Sequence, residues 1–116
     1  MNPLYTITAG PETGVFEVRL DRDHEIFAGH FPGTPVLPGV CGMMLVRECA
    51  SRMTGRQMRY SAIRESKFLT AITPDSTLTV ALRLVGVEDG AFSLDATIHA
   101  GQTTMMKIKS TLSTDE

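Results

Sequence analysis

The sequence has 116 residues, 42% of them hydrophobic, enough for one modest core and too few for a separate cofactor domain, so residues 1–116 are read as one domain. A formal net charge of −2 argues against general nucleic-acid binding, which needs a large positive excess on one face. No apolar run approaches the roughly 20 residues that span a bilayer. Met1-Asn2-Pro3-Leu4-Tyr5 has neither the basic start nor the apolar core of a signal peptide, which predicts a cytoplasmic protein.

Phe16, Val18 and Leu20 alternate with Glu17, Arg19 and Asp21, the period-2 pattern of a strand with one buried face. The turn Gly10-Pro11-Glu12-Thr13-Gly14 predicts that this strand pairs with residues 4–9. From Asp23 to Leu37 periodicity disappears, and Gly29, Pro32, Gly33 and Pro35 exclude a regular helix or a central strand, so a shaped loop is expected. Pro38 suits the first turn of a helix, where its missing N–H costs nothing. The following stretch runs to Met53, with Gly55 as a stop.

Residues 60–70 read as a strand with irregular alternation, and Pro74-Asp75 as a turn. Leu78, Val80, Leu82 and Leu84 then form one face of a strand. After Asp89-Gly90, Phe92, Leu94, Ala96 and Ile98 form the matching face of its hairpin partner. Gly101-Gln102 turns the chain into a last strand over 103–112, and residues 113–116 are expected to fray. One long, largely apolar helix among antiparallel strands is most economically buried by a sheet curled around it.

Cys41 and Cys49 lie eight positions apart on that helix. At 1.5 Å per residue they are about 12 Å apart, too far for a disulfide. With neither a CxxC pair nor a His/Cys cluster, both are read as packed, reduced thiols and no metal is expected. Charge is unevenly spread. Glu12, Glu17, Asp21, Asp23 and Glu25 make the beginning acidic, whereas Arg47, Arg52, Arg56, Arg59, Arg64 and Lys67 face only Glu48 and Glu65.

The chemistry concentrates where the loop meets the helix. The first N–H groups of the helix, near Gly39 and Val40, have no acceptor within it and favour negative charge. Such donors can act as an oxyanion hole for a thioester carbonyl whose α-carbon is being deprotonated. His30 titrates near neutrality by type and is the natural base. The glycines and prolines around it fix a costly backbone shape about one titratable group, which distinguishes this segment from a plain connection.

Gly29-His30-Phe31-Pro32-Gly33-Thr34-Pro35-Val36-Leu37-Pro38-Gly39-Val40 resembles the signature of the bacterial 3-hydroxyacyl-[acyl carrier protein] dehydratases of the FabZ and FabA types. The resemblance implies an α+β hot-dog fold, a curved antiparallel sheet of about six strands wrapped around one long central helix. It implies dehydration of 3-hydroxyacyl thioesters on acyl carrier protein to trans-2-enoyl thioesters, in fatty-acid-like or polyketide-like synthesis. His30 would act at the α-carbon, and the N–H of Gly39 or Val40 would polarise the carbonyl. Phe31, Pro32, Gly33, Pro38, Gly39, Val40, Met43 and Met44 would line the substrate. The family architecture further implies a homodimer, with a trimer of dimers as the larger assembly, and no metal or dissociable cofactor is required.

One position departs from the pattern. The family carries Glu or Asp on the helix fourteen residues after the motif histidine, where it helps expel the β-hydroxyl as water; here that position is Met44. An acid/base group of this kind is typically worth 10²–10⁴-fold in rate. Glu48, one turn further along the same face, is the nearest substitute, although a turn of about 5.4 Å is large against catalytic tolerances. Glu65 is a weaker one. Two further functions therefore stand beside the dehydratase: an acyl-thioester-binding subunit that pairs with a sister dehydratase, and an acyl thioesterase. Met43, Met44 and Met53 also read as core filler, His24 as a surface residue, His99 as without chemistry, and the Arg47–Lys67 region as a dock for an acidic carrier protein.

Overall fold

A computed structural model of the chain describes residues 3–28, 35–88 and 90–114. Strands β1 (Tyr5–Ala9) and β2 (Val15–Leu20) form a hairpin, followed by a short helix α1 (Glu25–Ala28) and the long helix α2 (Gly39–Thr54). Strands β3 (Met58–Phe68), β4 (Thr77–Glu88), β5 (Ala91–Ala100) and β6 (Thr103–Thr114) complete a six-stranded sheet in the order β1-β2-β4-β5-β6-β3. Every pairing is antiparallel.

The β1–β2 turn is closed by the Gly10 N–H donating to the Val15 carbonyl at 2.8 Å, with Gly14 at φ 84°. A side chain at Gly14 would also meet the Leu82 carbonyl, so both its backbone angle and its contact require glycine. Helix α2 lays Cys41, Gly42, Leu45, Val46, Cys49 and Ala50 on the inner face of the sheet, a stripe at helical spacing. Its small members allow close approach: a Cβ at Gly42 would lie 2.7 Å from the Met106 sulfur. Leu45 and Val46 fill the space against a sheet face that includes Val18, Leu78, Val80, Leu94, Ile98 and Ile108. Gly55, at φ 73°, ends the helix with its N–H on the Ser51 carbonyl.

Three expectations change. The segment read as pure loop contains α1, because local side-chain bonds organise it: Asp21 Oδ1 accepts from the Asp23 N–H, and His24 Nδ1 accepts from the Ile26 N–H, both at 3.0 Å. His24 is thus a half-buried cap for α1 rather than a plain surface residue. Ser113 and Thr114, expected to fray, belong to β6, since β6 lies between β5 and β3 and pairs on both sides. β3 runs two residues earlier at each end than expected, and register shifts near Tyr60 and Ile63 account for its irregular alternation.

Candidate functional site

Pro38 is the N-cap of α2 and brings no N–H, and among the described residues no side chain caps the helix. Cys41 N–H folds back onto the Pro38 carbonyl at 2.9 Å. Among the described residues the N–H groups of Gly39 and Val40 have no acceptor, so the positive end of the helix dipole opens outward.

A cavity of about 460 Å³ lies against this helix end. One wall is Leu37, Pro38, Gly39, Val40 and Gly42; the other is Phe68 at the end of β3, the crossing segment 69–72, and Met105 and Met106 at the start of β6. The sheet wall is pinned to itself by the N–H groups of Leu69 and Thr70, which both donate to the Met105 carbonyl. It is pinned to the helix side by the Leu37 N–H on the Ile72 carbonyl at 2.7 Å. Gly39 is required for this closeness: a Cβ there would come within 2.6 Å of the Phe68 ring. The volume falls within the range of small-molecule sites, and the lining is apolar apart from backbone groups and Thr70.

His30, Phe31, Pro32 and Gly33 lie outside the described residues. Pro38, Gly39 and Val40 border the cavity, and Val40 is 64% exposed. Met43 and Met44 do not border it. Met43 is half-buried, its carbonyl accepting from the Tyr60 hydroxyl at 2.7 Å and its sulfur near Ser66 Oγ. Met44 is 43% exposed on the outer side of the helix. Glu48 accepts a hydrogen bond from Tyr5 and borders a separate polar hollow with Arg47, Ser51, Arg52 and Gln57. Along α2 it is about 12 Å from Val40. The Tyr5 hydroxyl is raised well above its ordinary value by burial and then by that carboxylate.

No ionisable side chain lines the cavity among the described residues. Cys41, in the first turn of α2, does not line it, and burial pushes its thiol up. Cys49 is pushed up to about 12, also by burial, and both cysteines are free. His99 is held between Thr97 and Thr104, with ring nitrogens 2.8 and 3.3 Å from their hydroxyls. Among the described residues no cluster of three or more His, Cys, Asp or Glu could hold a metal ion, and no helix is long and apolar enough to cross a membrane.

The sequence reading missed the sheet wall. Phe68-Leu69 and Met105-Met106 are adjacent apolar pairs that interrupt strand alternation, which is the signal that marks them.

The model of the ApeI-like family, described as ApeI dehydratase, matches residues 6–107. The chain belongs to this family. FabZ of Levilactobacillus brevis, a 3-hydroxyacyl-[acyl-carrier-protein] dehydratase, is 27% identical over 109 residues, 88% of this chain and 69% of the relative. FabZ of Latilactobacillus sakei is 30% identical over 88 residues, covering 67% of the chain and 63% of the relative. The chain thus spans about two-thirds of these relatives or less. Among solved structures, the dehydratase heterocomplex ApeI:P of Xenorhabdus doucetiae superposes with TM-score 0.69 at 23% identity, covering 97% of this chain and 99% of that one. A putative thioesterase of Novosphingobium aromaticivorans gives 0.74 at 15% identity, covering all of this chain and 42% of that one. Both identities speak for the fold alone, and the fold of the family is the hot-dog.

Proposed function

We propose that the chain dehydrates 3-hydroxyacyl thioesters borne by acyl carrier protein, in fatty-acid-like or polyketide-like synthesis in the cytoplasm. The apolar cavity at the open end of α2 carries the reading: it offers an acyl group a dry wall and its carbonyl two unclaimed N–H donors, at Gly39 and Val40. His30 takes the α-proton, those donors hold the enolate-like oxygen, and the protonated His30 returns that proton to the departing β-hydroxyl, which leaves as water to give the trans-2-enoyl product. Incubation with a 3-hydroxyacyl thioester should yield a product lighter by one water, detected by mass spectrometry, and His30→Ala should abolish it. Normal turnover in His30→Ala would overturn the assignment, and thiol release without dehydration would make the chain a thioesterase.

The same observations favour a second reading of how the acid is supplied. Met44 stands at the carboxylate position, Glu48 is engaged by Tyr5, and the Xenorhabdus doucetiae dehydratase is a heterocomplex. Val40, Met44, Ile63, Phe68 and Leu69 are exposed around the edge strand β3, an apolar surface suited to a second hot-dog subunit. A second copy there gives the homodimer, with a trimer of dimers as its larger form. A sister subunit bearing Glu or Asp would instead supply the missing proton donor. Met44→Glu should then raise the rate of the purified chain; an ordinary enzyme rate from the unmodified homodimer would exclude the need for a sister.

A further inference from the structure

The C-terminal half of α2 borders a polar hollow of about 320 Å³, lined by Arg47, Glu48, Ser51, Arg52 and Gln57. At 1.5 Å per residue Ser51 stands about 16 Å along the helix from Val40, and the hollow has no wall in common with the apolar cavity.

Its donors outnumber its acceptors. Arg47 donates through Nη1 to the Met58 carbonyl at 3.2 Å, and Arg52 through Nη1 to the Ile7 carbonyl at 3.4 Å. A guanidinium carries five N–H groups, so each keeps most of its fork unused. Ser51 Oγ accepts from the Met58 N–H at 3.0 Å, and among the described residues its own hydrogen has no acceptor. Gln57 adds an exposed amide. Against these stands one carboxylate, Glu48, which already accepts from Tyr5. The last helix carbonyls do not take up the surplus: that of Ala50 accepts from Thr54 Oγ1 at 3.0 Å and that of Ser51 from the Gly55 N–H at 2.8 Å.

Charge points the same way. Among the described residues neither Arg47 nor Arg52 has an ion-pair partner. A second polar hollow, walled in part by Arg19, Arg22, Asp75 and Ser76, gives the contrast, because there Asp75 neutralises Arg22 at 3.0 Å. Beside α2, two cations face one carboxylate, and a positive charge is left over. The bonds to Met58 and Ile7 also hold both guanidiniums in place, so a ligand meets donors that are already oriented.

We propose that this hollow binds a phosphate group between the guanidiniums of Arg47 and Arg52, with the Ser51 hydroxyl and the Gln57 amide completing its hydrogen bonds. Two arginine forks, a hydroxyl and an amide suit the several oxygens of a tetrahedral anion, and charge-assisted bonds of this kind are the strong ones. Arg47 is tied to β3 and Arg52 to β1, so an anion between them links both outer strands of the sheet to α2 and stabilises the fold by mass action.

The test is thermal unfolding of the full chain in inorganic phosphate, with NaCl used to hold the ionic strength constant. The melting temperature should rise saturably, by about 3 °C at a tenfold excess over the apparent Kd. Arg47→Gln and Arg52→Gln should each weaken that Kd by about tenfold. Arg52 is exposed, so Arg52→Gln should melt like the wild type without phosphate, which guards against a folding defect. Glu48→Gln removes a like charge and should tighten binding severalfold, a gain that a purely structural role for these side chains would not produce. Arg22→Gln, in the neutralised hollow, should bind like the wild type. Glycerol 3-phosphate separates the two sources of a phosphate group: its competition with inorganic phosphate assigns the site to an ester, and its exclusion assigns it to the free ion. A rise matched by NaCl, unchanged affinity in both arginine variants, an equal loss in Arg22→Gln, or no gain in Glu48→Gln overturns the proposal.

Discussion

The two ends of α2 are built to opposite plans. At its C-terminal half, side chains and backbone are tied down: Arg47 holds the Met58 carbonyl, Ser51 Oγ accepts from the Met58 N–H, Arg52 reaches the Ile7 carbonyl, and Gly55 closes the last turn. At its N-terminus, among the described residues, no side chain caps the helix and two N–H groups are free, and an apolar cavity lies beside them. A helix satisfied at one end and open at the other can be rigid and receptive at once. The closed end fixes the axis; the open end presents oriented donors at no further reorganisation cost.

The largest effect should come from filling the open end. Gly39→Val puts a branched side chain into the Phe68 ring, and because that ring is 57% exposed it can swing outward, so folding survives while the cavity narrows. The expected loss in kcat/KM on acyl thioesters is about 100-fold, with a melting temperature within a few degrees of wild type. Undiminished turnover would detach the cavity from the chemistry. A reversed pattern is expected at the closed end. Ser51→Ala strands the N–H of Met58, a residue buried in the core, and should lower stability by about 1–3 kcal/mol, read by denaturant titration. Its kcat at 25 °C should not change; a proportional loss of activity would mean that the two ends are not separable.

The smallest effect is a pH dependence. Burial stabilises the neutral Cys49 thiol and moves it from 9.0 to about 12, so its contribution to stability is complete below pH 9 and is lost as pH rises through about 12. Thermal unfolding followed from pH 8 to 11 should show stability declining at the alkaline end, and Cys49→Ala should flatten that decline. An identical slope in the variant would assign it to other groups.

Much of the fold was legible because burial writes itself as periodicity. Leu78 to Leu84 and Phe92 to Ile98 alternate cleanly, and Pro38 and Gly55 bracket the helix to within a residue or two. What escaped was structure made by side-chain bonds to nearby backbone, as at Asp21 and His24, and structure made by neighbours remote in sequence, as at Ser113. The candidate site divides the same way. Its helix wall, Pro38 to Val40, is contiguous in sequence and was anticipated as a binding element. Its sheet wall exists only because β3 and β6 pair, setting Phe68 opposite Met106, and no local pattern announces that register. The motif stretch with His30 lies outside the described residues, so its place at the cavity belongs to the proposal.

The strand order carries a consequence for how the chain is made. Among the described residues β3 sits at the edge of the sheet with β6 as its one neighbour, and β6 follows every other strand in sequence. During synthesis α2 and β3 emerge early, but β3 has nothing to pair with until residues 103–114 have left the ribosome. Contacts of such wide sequence separation form late because loop closure must be met first. The cavity is therefore complete only after β6 has formed. Until then the apolar side chains of Phe68 and Leu69 are without their finished wall, which makes the nascent chain most vulnerable to association at the same place where the completed one is read to accept its substrate.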